Sequence, residues 1–301
     1  MRAPLTPPPQ PRREPSTRNA NAASGYVIDR SDRLLQIVII VVLCIGAIAM
    51  LAPFLWMLGT SLSRSANVSM PRVPRFFPPD PSLFNYQIAS ADQPILRFYF
   101  NSIVVVGLTT IGYLFFCSLA GYAFAKGRFP GKSFFFLAFL ATLLIPFETR
   151  MIPLYLIMNG LKLNDTYAAL ILPFLAGGFG TFLMRQSMVS IPDELLEAAR
   201  LDGAGEFRIF WQIVLPLVTP ALASLAIINV IWRWNDVLWP LLVISKREMY
   251  TVTQGLAISG STVYTGVELA TAVMAILPVI ILYLILQRYI IRGFITSGMK
   301  G

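Results

Sequence analysis

Acidic side chains cluster in a short polar stretch between two long apolar stretches of the chain. Residues 190–216 carry the carboxylates of Asp193, Glu194, Glu197 and Asp202. Carboxylates exposed on short helices can pair with basic side chains of a soluble partner, whereas proton-transfer chemistry lacks its commonest base because the chain contains no histidine. The residue types therefore favour protein docking over catalysis.

Two short helices must position these carboxylates. Ser190 can cap the first helix, and Pro192 suits its first turn, where negative charge also meets the positive end of the helix dipole. Gly203 stands where a left-handed cap would end that helix. A second helix is predicted from Glu206 to Pro216, with apolar residues at i, i+3, i+4 and i+7. They form one predicted stripe: Phe207, Phe210, Trp211 and Val214.

The order of residues in this stretch follows a defined pattern. It reads E-A-A, three residues, Gly, nine residues and then I-x-L-P, and it is met at Glu197, Ala198, Ala199, Gly203, Ile213, Leu215 and Pro216. This resembles the EAA loop of ABC-importer permeases. A bare interfacial hairpin is the competing interpretation, but amphipathicity alone does not require alanines and glycine at these offsets.

The resemblance implies a set of partners. The loop would dock into a cleft on a dimer of ATPase subunits, which bind ATP and magnesium, and this chain would carry no cofactor and no metal. A second homologous permease, an extracytoplasmic solute-binding protein and membrane lipid complete the predicted assembly. The predicted coupling residues are Asp193, Glu194, Glu197, Ala198, Ala199, Asp202, Gly203, Ile213, Leu215 and Pro216.

Composition indicates a polytopic membrane protein. Apolar residues make up 56% and charged residues 13% of the 301 residues, and the mean hydropathy is +0.66, whereas about a quarter of the residues are charged in soluble domains. We predict an all-α membrane protein with six transmembrane helices, each about 20 residues long. The predicted spans are Leu34–Leu58, Asn101–Ala125, Ser133–Met158, Thr166–Met184, Leu217–Leu238 and Val267–Leu286.

Basic residues predict the orientation. They accumulate in the N-terminal tail, in the loop after the second span and at the C-terminus, which places both termini and the EAA loop between spans 4 and 5 in the cytoplasm. Four arginines in the first outer loop weaken the bias: Arg64, Arg72, Arg75 and Arg97. Residues 1–30 are rich in proline and predicted to be a disordered cytoplasmic tail, while 31–301 form the permease domain. The localisation is a bacterial inner membrane, crossed several times.

Three tryptophans frame a polar group near the predicted outer end of span 5. Arg233 and Asp236, three residues apart, can pair, and charges at that depth normally face protein or a wet cavity. A sugar-binding cavity and an aromatic belt at the interface are both compatible with this pattern. The order W-N-D-x-x-W-P resembles the carbohydrate-uptake, or maltose-type, permeases and favours the cavity. The predicted substrate-path residues are Trp232, Trp234, Asn235, Asp236 and Trp239.

Two other groups admit more than one interpretation. Glu148 and Arg150 follow Pro146 and could line a transport path, but an outer segment with its charges in the headgroup zone is favoured. The G-K-S at residues 131–133 suggests a phosphate loop, but Lys126 stands where that motif needs glycine. A tight basic loop is favoured there.

These patterns predict a transport subunit rather than an enzyme. The chain would move a sugar or polyol into the cytoplasm, driven by ATP hydrolysis on a partner. The alternative is an ion-coupled secondary transporter, which predicts buried acidic relays and an inverted repeat. Nucleic-acid binding is disfavoured despite the net charge of +9, because the basic residues form no stripe with interleaved aromatics.

Overall fold

The computed structural model describes the backbone of residues 30–67, 76–78, 80–92, 94–259 and 264–298. Within these ranges the regular structure is helical, with one isolated antiparallel bridge between Ser63 and Pro81. The all-α prediction is therefore confirmed for this part of the chain. The predicted disordered tail lies outside the described residues, except for its last residue.

The chain divides into two units, and the boundary along the sequence lies between Pro53 and Phe54. Helix α1 (Arg30–Ser61) supplies the described part of the first unit and continues into the second. Its side chains from Leu35 onward are largely apolar and exposed. A water-exposed helix of this composition is unfavourable, so this surface suits lipid.

A group of polar residues follows α1 within the second unit. Asp80 accepts hydrogen bonds from the Ser63 hydroxyl at 2.6 Å and the Ser65 backbone N–H at 2.7 Å. The buried Asn85 amide donates to the carbonyls of Ser61 and Ser63. These bonds tie the end of α1 to Asp80 and to the start of α2 (Phe84–Asp92), which α3 (Ile95–Lys126) follows.

The predicted third span is not one helix. Helix α4 (Lys132–Ala141) and a 3₁₀ turn run to Leu144, and α5 (Phe147–Gly160) then leaves at 103°. Pro146 stands at the break, because the residue before a proline is driven out of the helical region. The predicted span Ser133–Met158 is therefore broken at Pro146, and whether it crosses as one span stays a prediction.

The fourth predicted span is also bent, and a further bend precedes the fifth. Helix α6 (Tyr167–Ile171), with the 3₁₀ turn after it, meets α7 (Gly178–Val189) at 44°. The segment Glu206–Leu217 meets α11 (Thr219–Trp234) at 81°. The remaining helices are α8 (Asp193–Leu201), α9 (Glu206–Ile209), α10 (Leu215–Leu217), α12 (Leu238–Val243), α13 (Val252–Ser259) and α14 (Thr265–Gly298).

Among the described residues, two helices are long and apolar enough to cross a membrane, Leu35–Ser61 and Ile95–Lys126. Counting each of the three bent pairs as one span raises the number to five, and Thr265–Ile281 is apolar but shorter. All six predicted spans thus fall on apolar helical segments. Their number as crossings remains a prediction.

Close backbone approach holds α3 against α7. A Cβ on Gly121 would lie 2.9 Å from the Arg185 backbone nitrogen, and one on Gly180 would lie 2.7 Å from the Cys117 sulfur. The Gly180 N–H also donates to the Tyr113 hydroxyl at 3.0 Å. Gly121 and Gly180 are therefore packing residues.

Candidate functional site

The first helix of the polar stretch begins at Asp193, with Pro192 before it and no side-chain cap. Ser190 ends α7, and its hydroxyl donates to the Ser187 carbonyl at 3.0 Å. The prediction that Ser190 caps α8 was wrong. The reason is that Ile191 and Pro192 separate the two helices, so Ser190 keeps helical dihedrals at the end of the preceding one.

Gly203 ends α8 as predicted. Its φ of +83° lies in the left-handed region. The Gly203 and Ala204 N–H groups then return to the carbonyls of Arg200 and Ala199, each at 3.0 Å. A Cβ here would meet nothing within 4 Å, so the constraint comes from the backbone and not from space.

A lysine at the end of α3 anchors the start of α8. The Lys126 ammonium donates to the Asp193 carboxylate at 2.6 Å and to the Ile191 carbonyl at 2.5 Å. The Lys126 side chain is 8% exposed. Its hydrogen bond holds the pKa of the Asp193 carboxyl below its usual value. Asp193 is thus engaged within the chain.

A second anchor holds the turn between α8 and α9. One oxygen of the Glu206 carboxylate accepts a hydrogen bond from the Arg200 guanidinium at 2.7 Å. The other oxygen accepts one from the Tyr122 hydroxyl, also at 2.7 Å. Tyr122 lies on α3, one turn before Lys126. Both ends of α8 are therefore tied to the same end of α3.

The predicted apolar stripe is divided in two. Phe210 and Val214 are buried, whereas Phe207 and Trp211 are exposed and stack with ring centroids 6.4 Å apart. The cause is a π-helical turn over Phe210–Val214, which shifts the helical register. The helix also continues through Pro216 to Leu217, so its predicted end at Pro216 was wrong.

We call residues 193–217 the coupling segment. Among its predicted coupling residues, six are exposed and make no ion pair with another described residue: Glu194, Glu197, Ala198, Asp202, Gly203 and Pro216. Ala199, Ile213 and Leu215 are half-buried and pack against the core beneath, where Leu196 is buried. The segment therefore presents free carboxylates from a fixed position.

We call residues 232–240 the tryptophan segment. The Arg233 guanidinium binds the Asp236 carboxylate at 2.9 Å, as the spacing predicted, and lies 3.8 Å from the Phe174 ring centroid. The second Asp236 oxygen accepts the Trp239 backbone N–H at 3.3 Å. Both charged side chains are mostly buried, with 16% and 13% exposed.

A cavity of about 670 Å³ adjoins this segment, with walls from α3, α4, α5, α7 and α11. Trp232 and Arg233 line it, while Trp234, Asn235, Asp236 and Trp239 do not. One of the three predicted tryptophans therefore adjoins this cavity, and the substrate path itself stays a prediction.

The three other polar and aromatic side chains have internal partners or lie in the core. Trp239 is inaccessible, and its indole N–H donates to the Ala169 carbonyl at 2.9 Å. Trp234 is 9% exposed. The Asn235 side-chain amide donates a hydrogen bond to the Ile231 carbonyl at 2.9 Å. The helix ends at Trp234, and the chain turns, so successive side chains no longer face one side.

Two further residues, which were not assigned to a substrate path from the sequence, also line the cavity. Arg150 lines it, although a headgroup position was favoured for this residue. Asn229 also lines it and accepts the Thr110 hydroxyl at 3.0 Å. Asn229 is the one amide within the apolar run 219–231. That isolation was the available signal, because an intramembrane polar side chain usually faces protein or water.

The loop at residues 127–133, between α3 and α4, is held by internal hydrogen bonds. Gly131 has a φ of +75°, and the Lys132 ammonium donates to the carbonyls of Ala125 and Gly127, each at 3.0 Å. The lysine closes the loop between α3 and α4. This supports a tight basic loop over a phosphate loop. Within the described residues, no group of three His, Cys, Asp or Glu side chains could hold a metal.

Comparison with known proteins identifies the family. Residues 117–296 match the model of the binding-protein-dependent transport system inner membrane component. The arabinooligosaccharides transport system permease protein AraQ of Halalkalibacterium halodurans is 44% identical over 203 residues, covering 66% of this chain and 71% of the relative. AraQ of Bacillus subtilis is 39% identical over 68% of this chain and 74% of the relative.

A polyol-phosphate permease and a solved structure are also similar. The sn-glycerol-3-phosphate transport system permease protein UgpE of Yersinia enterocolitica is 37% identical, covering 70% of this chain and 76% of the relative. The crystal structure of a bacterial ABC transporter involved in the import of the acidic polysaccharide alginate matches with a TM-score of 0.76 and 31% identity. That match covers 87% of this chain and 98% of the other. The chain therefore belongs to the family of binding-protein-dependent transport system inner membrane components, and it is the permease subunit of an ABC importer, not an ion-coupled secondary transporter.

Proposed function

We propose that this permease moves a sugar or polyol into the cytoplasm through six spans, with both termini and the coupling segment on the cytoplasmic face. It works with a second homologous permease, a dimer of ATPase subunits that carry ATP and magnesium, and an extracytoplasmic solute-binding protein. This chain itself binds no cofactor and catalyses no reaction.

The coupling segment carries this proposal. Glu194, Glu197 and Asp202 are exposed, whereas the two ends of α8 are fixed to α3 by Lys126 and Tyr122. A helix that is free to bind on one face and fixed at both ends can transmit a displacement. A free surface hairpin would move without carrying α3 along.

The path of transmission runs from α3 to the cavity. Helix α3 packs closely on α7 through Gly121 and Gly180, and both helices contribute walls to the cavity. Closure of the ATPase pair would displace α8 as a rigid element, and α3 and α7 would follow. The cavity would then alternate between outward and inward access.

The kind of solute follows from the cavity and the relatives. A volume of about 670 Å³ lies in the range of small-molecule sites. Trp232 offers a flat face of the kind that suits a sugar ring, and Asn229 offers an amide for hydroxyl groups. The relatives named above carry arabinooligosaccharides and sn-glycerol-3-phosphate in their names.

The test uses the tagged chain purified from its native membranes. We expect an ATPase and a second permease to co-purify and to be lost with Glu197→Arg, because the reversal repels a basic cleft. Glu148→Arg is the matched control for ATPase recovery, since Glu148 is likewise an exposed carboxylate with no ion pair among the described residues but lies on α5. Undiminished ATPase recovery and uptake with Glu197→Arg would show the coupling assignment to be wrong.

Gly203 gives an independent test of the same segment. Gly203→Val should abolish ATP-driven uptake, since a β-branched residue is strained at this φ, whereas Gly203→Asn should retain most of it, because Asn tolerates the left-handed region. Equal activity of the two variants would mean that the shape of this turn is irrelevant to transport.

A further inference from the structure

The cavity described above is positively charged. Arg150 and Arg233 are the charged residues among its described lining, and no acidic side chain lines it. Arg233 is neutralised by Asp236 from behind the wall. Arg150 is exposed, has no ion pair within the described chain, and lies 6.0 Å from the Phe147 ring centroid. The cavity therefore holds one uncompensated guanidinium.

An uncompensated cation in this position is informative. Ionisable side chains in membrane proteins are costly, usually face a wet cavity, and usually pair with another group. The chain pairs Arg233 internally but offers Arg150 only a distant aromatic face, that of Phe147 at 6.0 Å. A neutral sugar would leave Arg150 without a counter-charge, whereas an acidic group would supply one through charge-assisted hydrogen bonds.

The rest of the lining suits a ring-bearing ligand. Trp232, Phe139 and Phe147 supply apolar faces, and Asn229 supplies an amide. We propose that Arg150 recognises the carboxylate or phosphate of an anionic saccharide or polyol in this cavity. This rests on the proposed import function and specifies the class of its substrate.

A phospholipid headgroup shares the phosphate chemistry but fits the position less well. The lining around Arg150 includes residues from α3, α7 and α11 as well as α5, so the guanidinium belongs to a concave site between helices. Arg150 would contact bilayer headgroups alone only if it lay on the outer face of α5. A soluble anion is therefore the occupant that we infer.

The experiment measures uptake in a native strain that lacks its chromosomal copy and carries the chain or a variant. The labelled probes are matched pairs: digalacturonate with galactobiose, and glucose 1-phosphate with glucose. We expect chain-dependent uptake of an anionic member, reduced about tenfold or more by Arg150→Gln and largely retained by Arg150→Lys. Lys162→Gln is the control, because it removes an exposed positive charge after α5 that does not line the cavity.

The outcomes separate this inference from the import function. Chain-dependent uptake of neutral members alone, of no anionic member, or equal anionic uptake by Arg150→Gln would overturn it, while co-purification of the ATPase would leave the import function standing. Failure of ATPase co-purification would instead overturn the import function. The same uptake can be measured in proteoliposomes with and without phosphatidylglycerol. If Arg150→Gln lowered uptake only when this lipid was present, the guanidinium would bind lipid, and the inference would be overturned.

Discussion

The coupling segment and the tryptophan segment both place charged and aromatic residues close together in an apolar chain, yet they use them in opposite ways. In the coupling segment, Glu194, Glu197 and Asp202 stay exposed, and the ion pairs lie at the two ends of α8. In the tryptophan segment, Asp236 binds Arg233 and a backbone N–H, and Trp239 is inaccessible. One segment presents its polar groups, and the other uses them internally.

The difference follows from the surroundings of each segment. A carboxylate in water needs no partner, so an exposed helix can keep its acids free for another protein. A charge among apolar helices must be paired, so its partner comes from the same chain unless a ligand supplies it. Substitutions should therefore affect stability in the tryptophan segment and transport in the coupling segment.

The strongest test of this contrast is Trp239→Ala. The indole packs edge-on against Phe147 and Phe174 and donates to the Ala169 carbonyl. We expect a loss of about 3 to 5 kcal/mol in the free energy of unfolding, measured by thermal unfolding of the detergent-purified chain. Trp232→Ala, at a residue 48% exposed, is the matched control and should cost about 0.5 kcal/mol or less. Similar losses for both would contradict the contrast.

A smaller loss is expected when the internal ion pair is broken. Asp236→Asn leaves the mostly buried Arg233 guanidinium without its counter-charge, at a cost of about 3 kcal/mol. The double variant Arg233→Met with Asp236→Leu should recover much of this, because it removes both charges. The measurement is the same unfolding experiment, and a double variant no better than Asp236→Asn would show that the pair is not the source of the loss.

On α3, Tyr122→Phe removes one hydrogen bond to the exposed Glu206 carboxylate of the coupling segment. We expect a stability loss of about 1 kcal/mol. Because the bond ties the α8–α9 turn to α3, the ATP hydrolysed per solute transported should rise at the same time. The measurement is the ratio of ATPase to uptake rates in proteoliposomes. An unchanged ratio would mean that Tyr122 only stabilises the fold.

The smallest effect is a pH dependence at the start of α8. The pKa of Asp193 is lowered by the Lys126 hydrogen bond, so this bond stabilises the fold above the usual Asp pKa of about 4 and is lost as the pH falls through the lowered value. We expect α8 amides to exchange hydrogen faster in Asp193→Asn than in the parent chain at neutral pH. The two rates should converge only as the pH falls through the lowered pKa of Asp193, and a constant difference would exclude Asp193 as the cause.

The two segments also differ in how far their structure could be predicted. Gly203 at a left-handed turn, the start of α9 at Glu206 and the Arg233–Asp236 pair follow from spacing, because local backbone and one-turn contacts decide them. The Ser190 cap and the single apolar stripe were wrong, and Trp239 is buried away from the cavity. Each depended on a neighbouring element: the end of α7, the π turn at Phe210–Val214 and the Ala169 carbonyl.

The sequence by itself determined the class of the molecule and its apolar helices, and its motif spacing predicts the coupling segment. Hydropathy over about 20 residues and fixed motif spacing are local properties, so they can be read from the sequence without any knowledge of packing. Tertiary structure alone decided that Lys126 and Tyr122 fix α8 to α3, and that Arg150 lies with Trp232 and Asn229 on one cavity. These residues are far apart in the chain, and only the 103° turn after α4 and the close packing of α3 on α7 bring them together.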